Sequence, residues 1–202
     1  MRKSDLKKNH QPFDEALTRY RSFMDKIINA QRVISTAQEK HDVVESVVLR
    51  LCANWERFVD EHIVDCLNRD SSKLASCYGV ALPDNPSKDL CQALIIGDRY
   101  LDFRSSSDLL GFTKKVLPNV SNPFNEISKA HRKRMDEVYT IRNYLSHYSG
   151  SARRRLLDMY KRKYNMDRFI EPGRFLLAYK ARRLWNYLDA FEGASGDMKG
   201  WY

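Results

Sequence analysis

The stretch NPFNEISKAHRKRMDEVYTIRNYLSHYSG, residues 122–150, decides how this chain folds. Asn122 and Pro123 are a helix-starting pair: a side chain that accepts from free backbone N–H groups, then a residue whose φ is already helical. Ser149 and Gly150 mark the stop. Between them the periodicity predicts one long helix over 124–148. At 100° per residue, Val138, Ile141, Leu145 and Tyr148 fall within an arc of about 80°, a stripe that must face a core. Asn143 and His147, one turn apart, lie on the far side in line with Asp136 and Thr140, and Arg142 projects from the flank. The helix packs with one face and offers Arg, Asn and His with the other.

Working outward, the same period recurs. A helix is expected from Pro12 to about Gln38, with Phe13, Leu17, Tyr20, Met24, Ile27 and Ile28 on one face, and another over 41–68, with Val44, Val48, Leu51, Trp55, Val59 and Cys66 at spacings of three and four. Between 71 and 122 the pattern weakens around Tyr78-Gly79, Pro83 and Pro86. Ser87 is placed to cap a short helix ending at Gly97, and Ser107 another ending before Pro118. Further helices are expected over 151–164 and 174–191. The chain thus reads as all-α, a single helical domain over 1–192. The segment from Gly193, GASGDMKGWY, reads as a flexible tail over 193–202.

The chain of 202 residues is 30% charged, which suits one folded domain. No apolar run approaches the roughly 18 residues of a membrane span, and the N-terminus lacks the apolar stretch of a secretory signal, so no membrane association and a cytoplasmic location are expected. Cys52, Cys66, Cys77 and Cys91 stand 14, 11 and 14 apart, without a C-x-x-C pair or a histidine at zinc spacing, and read as reduced thiols. No metal or other cofactor is expected.

The formal net charge is +9. Between Ser151 and Trp185 stand eleven Lys or Arg (Arg153, Arg154, Arg155, Lys161, Arg162, Lys163, Arg168, Arg174, Lys180, Arg182, Arg183) against three acids, Asp158, Asp167 and Glu171. Charge runs are often only solvated helix faces. The other reading is a phosphate-tracking surface in which Arg153, Arg154, Arg155 and Lys161 bind RNA and Tyr160, Tyr164 and Phe169 supply stacking rings. Trp185 and Tyr187 read as core.

The residues that carry chemistry are Arg142, Asn143 and His147. The R-x4-H spacing alone is not specific, since Arg57 and His62 repeat it. In that second instance Phe58 stands where Asn143 does, and His62 lies on the apolar stripe with Val59 and Cys66, which makes it a core or interface residue. Asn after Arg singles out the first instance.

RNYLSH near the end of a long bundle helix resembles the R-x4-6-H signature of the HEPN superfamily, in which a polar residue commonly follows the Arg. NWERFVDE, with Trp55 and Glu56 on a preceding long helix, is similar to the RiboL-PSP-HEPN-like branch. The resemblance implies a HEPN-like bundle with additional helices and a metal-independent endoribonuclease, usually a homodimer whose two motifs meet across the interface. It also implies a toxin or phage-defence setting, with an antitoxin or regulatory protein as a further partner. Some HEPN toxins are silenced by modification of a Tyr two residues after the His; here Ser149 holds that position and Tyr148 the one before it, a departure from that mode.

Cleaving RNA without a metal needs a base for the 2′-OH, an acid for the 5′-oxygen and a cation for the phosphorane charge. One His and one Arg fall a group short. A twofold pairing supplies two of each, so that one His147 acts as base and its mate as acid while Arg142 binds phosphate. Asn143 then orients the imidazole or holds the phosphate. In an alternative assignment His147 only ligates phosphate. Glu56 either assists at the site or is a helix-surface carboxylate paired with a nearby Arg or Lys. The rival class is a non-catalytic RNA-binding or protein-interaction module; a DNA-binding regulator would need a helix-turn-helix spacing, and none stands out.

Overall fold

Thr36 and Glu39 cap each other: the Thr36 hydroxyl accepts from the Glu39 N–H and the Glu39 carboxylate accepts from the Thr36 N–H. This reciprocal box starts the longest unbroken helix, α2 (Ala37–Arg69), which follows α1 (His10–Asn29). The structure, a computed structural model, describes residues 3–29, 36–95 and 103–201. The expected continuation of the first helix to Gln38 is thus ended by the Thr36 cap, and its passage through 30–35 lies outside the described residues, as does the expected stop at Gly97. Among the described residues the secondary structure is entirely helical.

Three shorter helices follow, α3 (Ser72–Tyr78), α4 (Lys88–Ile95) and α5 (Ser106–Val116). Ser87 accepts from the Leu90 N–H at the start of α4, as its position predicts, while α5 is capped by Ser105 and not Ser107. Asn122 caps as expected, but what it opens is a 3-10 turn, Pro123–Glu126. The long helix α6 (Lys129–His147) has its own cap, Ser128, whose hydroxyl accepts from the His131 N–H. α7 (Gly150–Tyr164) and α8 (Pro172–Lys199) complete the chain. No helix among the described residues is long and apolar enough to cross a membrane.

Helices α1, α2, α6 and α8 pack on one another as the central bundle, with α7 laid on α6 and α4 on α2. Trp55 of α2 sits at the centre, its ring 5.3 Å from those of Phe13 and Phe58 and 5.5 Å from that of Phe191. Trp185 is only half-buried, whereas Tyr187 is fully enclosed. The expected stripe of α6 is present in Val138, Ile141 and Leu145, and the buried arc also takes in Met135, Tyr139 and Tyr144. Tyr148 departs from it. It leaves the helix with φ 45° and ψ 26° and is 64% exposed. Cys52, Cys66 and Cys91 are buried free thiols, and Cys77 is exposed.

The segment from Gly193, expected to be loose, is helical as far as Lys199, with Ala194, Ser195 and Met198 buried. A Cβ at Gly193 would run into the His131 imidazole, so glycine here permits close packing of α8 on the start of α6. Asp197 completes that junction by accepting from the Ser128 N–H at 2.8 Å and pairing with His131 Nδ1 at 2.6 Å. Ser195 contacts His10 Nδ1 at 2.8 Å and Lys199 pairs with Asp14, so α1 holds the other side. α8 is broken at Ala178–Ala181, where Tyr179, Lys180 and Ala181 have φ of 54°, 56° and 59°. Non-glycine residues in that region cost about 1–2 kcal/mol each. Arg183 braces the break, stacking 4.2 Å from the Phe175 ring and donating to the Phe175 carbonyl at 2.9 Å.

His62 lies inside the bundle, fully buried, with its ring 5.2 Å from His10 and 5.7 Å from Phe124. Burial lowers both histidines, His10 to about 4 and His62 to about 3. As pH falls through the ordinary imidazole value of about 6.5 the unfolded chain takes up both protons and the folded chain does not. Stability should therefore decline from about pH 7 to pH 5 in urea denaturation, and the decline should be shallower in His62→Leu. An identical slope in that variant would remove His62 from the linkage.

Candidate functional site

The end of α6 is set by a change of backbone hand. Tyr148 adopts the left-handed conformation and donates its N–H to the Tyr144 carbonyl at 2.8 Å, and Ser149 at once caps α7 through the Ala152 N–H. A residue with a Cβ is uncommon in that conformation. The tight turn sends α7 back along α6, which places the basic run after the motif beside the motif itself.

Arg142, Asn143 and His147 line one open cleft of about 350 Å³, together with Phe103, Arg104, Tyr139, Thr140 and Arg155. The structure therefore brings the three motif residues together on one surface, as their facing predicts. His147 is exposed, and Asn143 is half-buried one turn before it. Thr140 and Asp136 continue the row, Thr140 Oγ1 donating to the Asp136 carbonyl and Asp136 accepting from the backbone N–H and hydroxyl of Ser106. Arg104, at the start of α5, reaches the cleft from a stretch in which no sequence motif points to it.

Glu56 is where the structure adds most. It projects from α2 with only 4% of its side chain exposed, and its Oε1 lies 3.3 Å from Nη2 of Arg142. This is not a helix-surface pair: the carboxylate is buried, and its cation is the motif arginine on a neighbouring helix, at the site itself. Tyr139 lies one turn before Asn143, buried, and burial raises its hydroxyl well above the ordinary phenol range, with Cys52 and Glu56 adding to the effect.

The four basic candidates of α7 divide. Arg155 lines the motif cleft. Arg153 turns the other way and stacks 4.1 Å from the Phe169 ring, lining a separate cleft with His41, Glu45 and Glu171. Arg154 and Lys161 are exposed and line neither. Of the expected stacking rings, Tyr160 is enclosed while Tyr164 and Phe169 are half-buried. Tyr160 is fully buried and stacked on Phe175, Phe169 packs edge-on to Tyr144, and the Tyr164 hydroxyl donates to Glu137 at 2.6 Å. Three residues in succession on a helix span 200°, so a run of arginines cannot share one face.

Among the described residues no group of three or more His, Cys, Asp or Glu side chains is placed to hold a metal ion. No family model, curated protein or solved structure matches the chain.

The Glu56 pair revises what truncation of the motif arginine should do. Facing alone predicts no effect of Arg142→Ala on the fold. With a buried carboxylate as its partner, the variant should lose about 1–3 kcal/mol in denaturant unfolding. Adding Glu56→Gln should cost less than the sum of the two single changes. Additive losses would mean that the two side chains do not support each other.

Proposed function

We propose that the chain is a metal-independent endoribonuclease of the HEPN type, acting as a homodimer. The observation that carries the reading is the shared cleft: Arg142, Asn143 and His147 converge on one open surface at the end of a helix whose other side is core. An acid–base group must reach substrate and water, and the exposure of His147 meets that need. Arg142 has a planar fork of five donors, enough to face Glu56 with one edge and a phosphate with another.

In the proposed reaction the 2′-oxygen attacks the adjacent phosphorus while the bond from phosphorus to the 5′-oxygen breaks. His147 of one copy takes the 2′-hydroxyl proton, and His147 of the second copy gives a proton to the departing 5′-oxygen. Arg142 balances the charge on the phosphorane, and Asn143 holds the imidazole or a phosphate oxygen. The products are a 2′,3′-cyclic phosphate end and a 5′-OH end. His147 and the exposed ring of Tyr148 stand together at the α6 terminus, which supports pairing of two copies there. A toxin or defence role, with a protein that restrains the activity, belongs to the same proposal.

His147→Ala should abolish cleavage of total RNA in the presence of EDTA while leaving helicity unchanged, because the side chain is exposed and its loss opens no cavity. End-group analysis of the wild-type products should find cyclic phosphates, and light scattering should give a dimer. Cleavage by His147→Ala at the wild-type rate would transfer the protein to the class of non-catalytic RNA-binding modules. A monomer active at the same concentration would remove the shared-site mechanism.

A further inference from the structure

The motif cleft does not end at the motif. It shares Thr140 and Arg155 with a second cleft of about 370 Å³ between α6 and α7, lined farther on by Lys133, Arg162 and Lys163. From His147 back to Lys133 is fourteen residues of α6, or about 21 Å at 1.5 Å per residue. Among the described residues six cations therefore border one continuous groove: Arg104 and Arg142 at the motif end, Arg155 in the middle, Arg162, Lys163 and Lys133 beyond. Among the described residues neither Lys133 nor Arg155 has an ion-pair partner.

Among the described residues three carboxylates also border the groove, and two are occupied. Asp136 accepts from the backbone N–H and hydroxyl of Ser106. Glu137 is buried and accepts from the hydroxyls of Tyr164 at 2.6 Å and Tyr187 at 3.0 Å, with Lys163 Nζ 4.0 Å from its other oxygen. Asp158 alone is exposed on the rim. Among the described residues the apolar lining is Phe103, Tyr139 and Met159, all buried, so these residues offer the groove cations and no exposed ring on which a base could stack.

We infer that this groove is the track for a single RNA strand, held by its phosphates and read without regard to base. The inference deepens the ribonuclease reading and rests on it: a strand lying along the groove would carry one phosphate to Arg142 and His147 while its neighbours meet Arg155, Arg162 and Lys163. Attack by a 2′-oxygen needs the nucleophile and the leaving oxygen in line across the phosphorus. A single strand can rotate into that alignment, whereas an A-form duplex holds its backbone away from it. Binding through phosphates alone releases counterions, so affinity should fall steeply with salt.

The test uses wild-type protein and a fluorescein-labelled twelve-nucleotide 2′-O-methyl oligouridine, whose blocked 2′-oxygen prevents cleavage, in anisotropy titrations over a range of salt. Combined Arg155→Ala, Arg162→Ala and Lys163→Ala should weaken binding about tenfold or more and reduce the slope of log affinity against log salt by about two. Arg154→Ala with Lys161→Ala, on the outer face of α7, should change affinity less than about twofold. Circular dichroism of both variants should match wild type, since all five side chains are exposed. Wild-type affinity in the groove variant, a loss carried instead by the outer pair, or equal competition by a duplex of the same length would each overturn the track. A parallel assay on cleavable RNA separates the two claims. Cutting by wild type with an unaffected groove variant leaves the ribonuclease and removes the track; a lost interaction without any cutting leaves the track as a binding site and removes the ribonuclease.

Discussion

A carboxylate withdrawn from water on α2 governs the geometry at the end of α6. An ion as deeply placed as Glu56 costs several kcal/mol unless a cation meets it, and Arg142 does so at 3.3 Å from the neighbouring helix. The direction of the guanidinium is thereby set by another element and not left to the freedom of a long side chain on a helix surface. Trp55, next to Glu56 in sequence, is fixed in the aromatic cluster at the bundle centre, so the position of the carboxylate is inherited from the core. For the phosphate-binding role proposed for Arg142, this is support of the kind that holds geometry within a fraction of an ångström.

The second constraint is the two-residue connection after His147. Because Tyr148 reverses the backbone and Ser149 immediately caps α7, the two helices run back along each other from a common point. Register follows from this: Arg155 returns to Thr140, and Lys163 returns to Glu137. Side chains from opposite ends of a 31-residue stretch, 133–163, thus share one groove. The same turn leaves Tyr148 in solvent, which the periodicity of α6 places on the core stripe.

Glycine illustrates how a composition signal can mislead. GASGDMKG is rich in small residues, a pattern common in loose termini, yet Gly193 is where the imidazole of His131 presses against α8. Small residues mark close approach as often as freedom, and only the facing element tells the two apart. Ser195, Asp197 and Lys199, polar and unremarkable in sequence, each have a partner on α1 or at the start of α6, and together they keep this segment helical.

Helical facing is a local property, settled by the 3.6-residue repeat, and the sequence by itself therefore determined the all-helical class, the far-side placement of Asn143 and His147, and the place of His62 on an apolar stripe. Partners are not local. That Glu56 meets Arg142 from 86 residues away, that Arg104 joins the motif cleft, and that Arg153, Arg154 and Arg155 serve three different surfaces were decided only when α2, α5 and α7 packed against α6. The physical reason is that a period fixes which side of a helix a residue occupies, whereas the burial of apolar faces against one another fixes what stands opposite it.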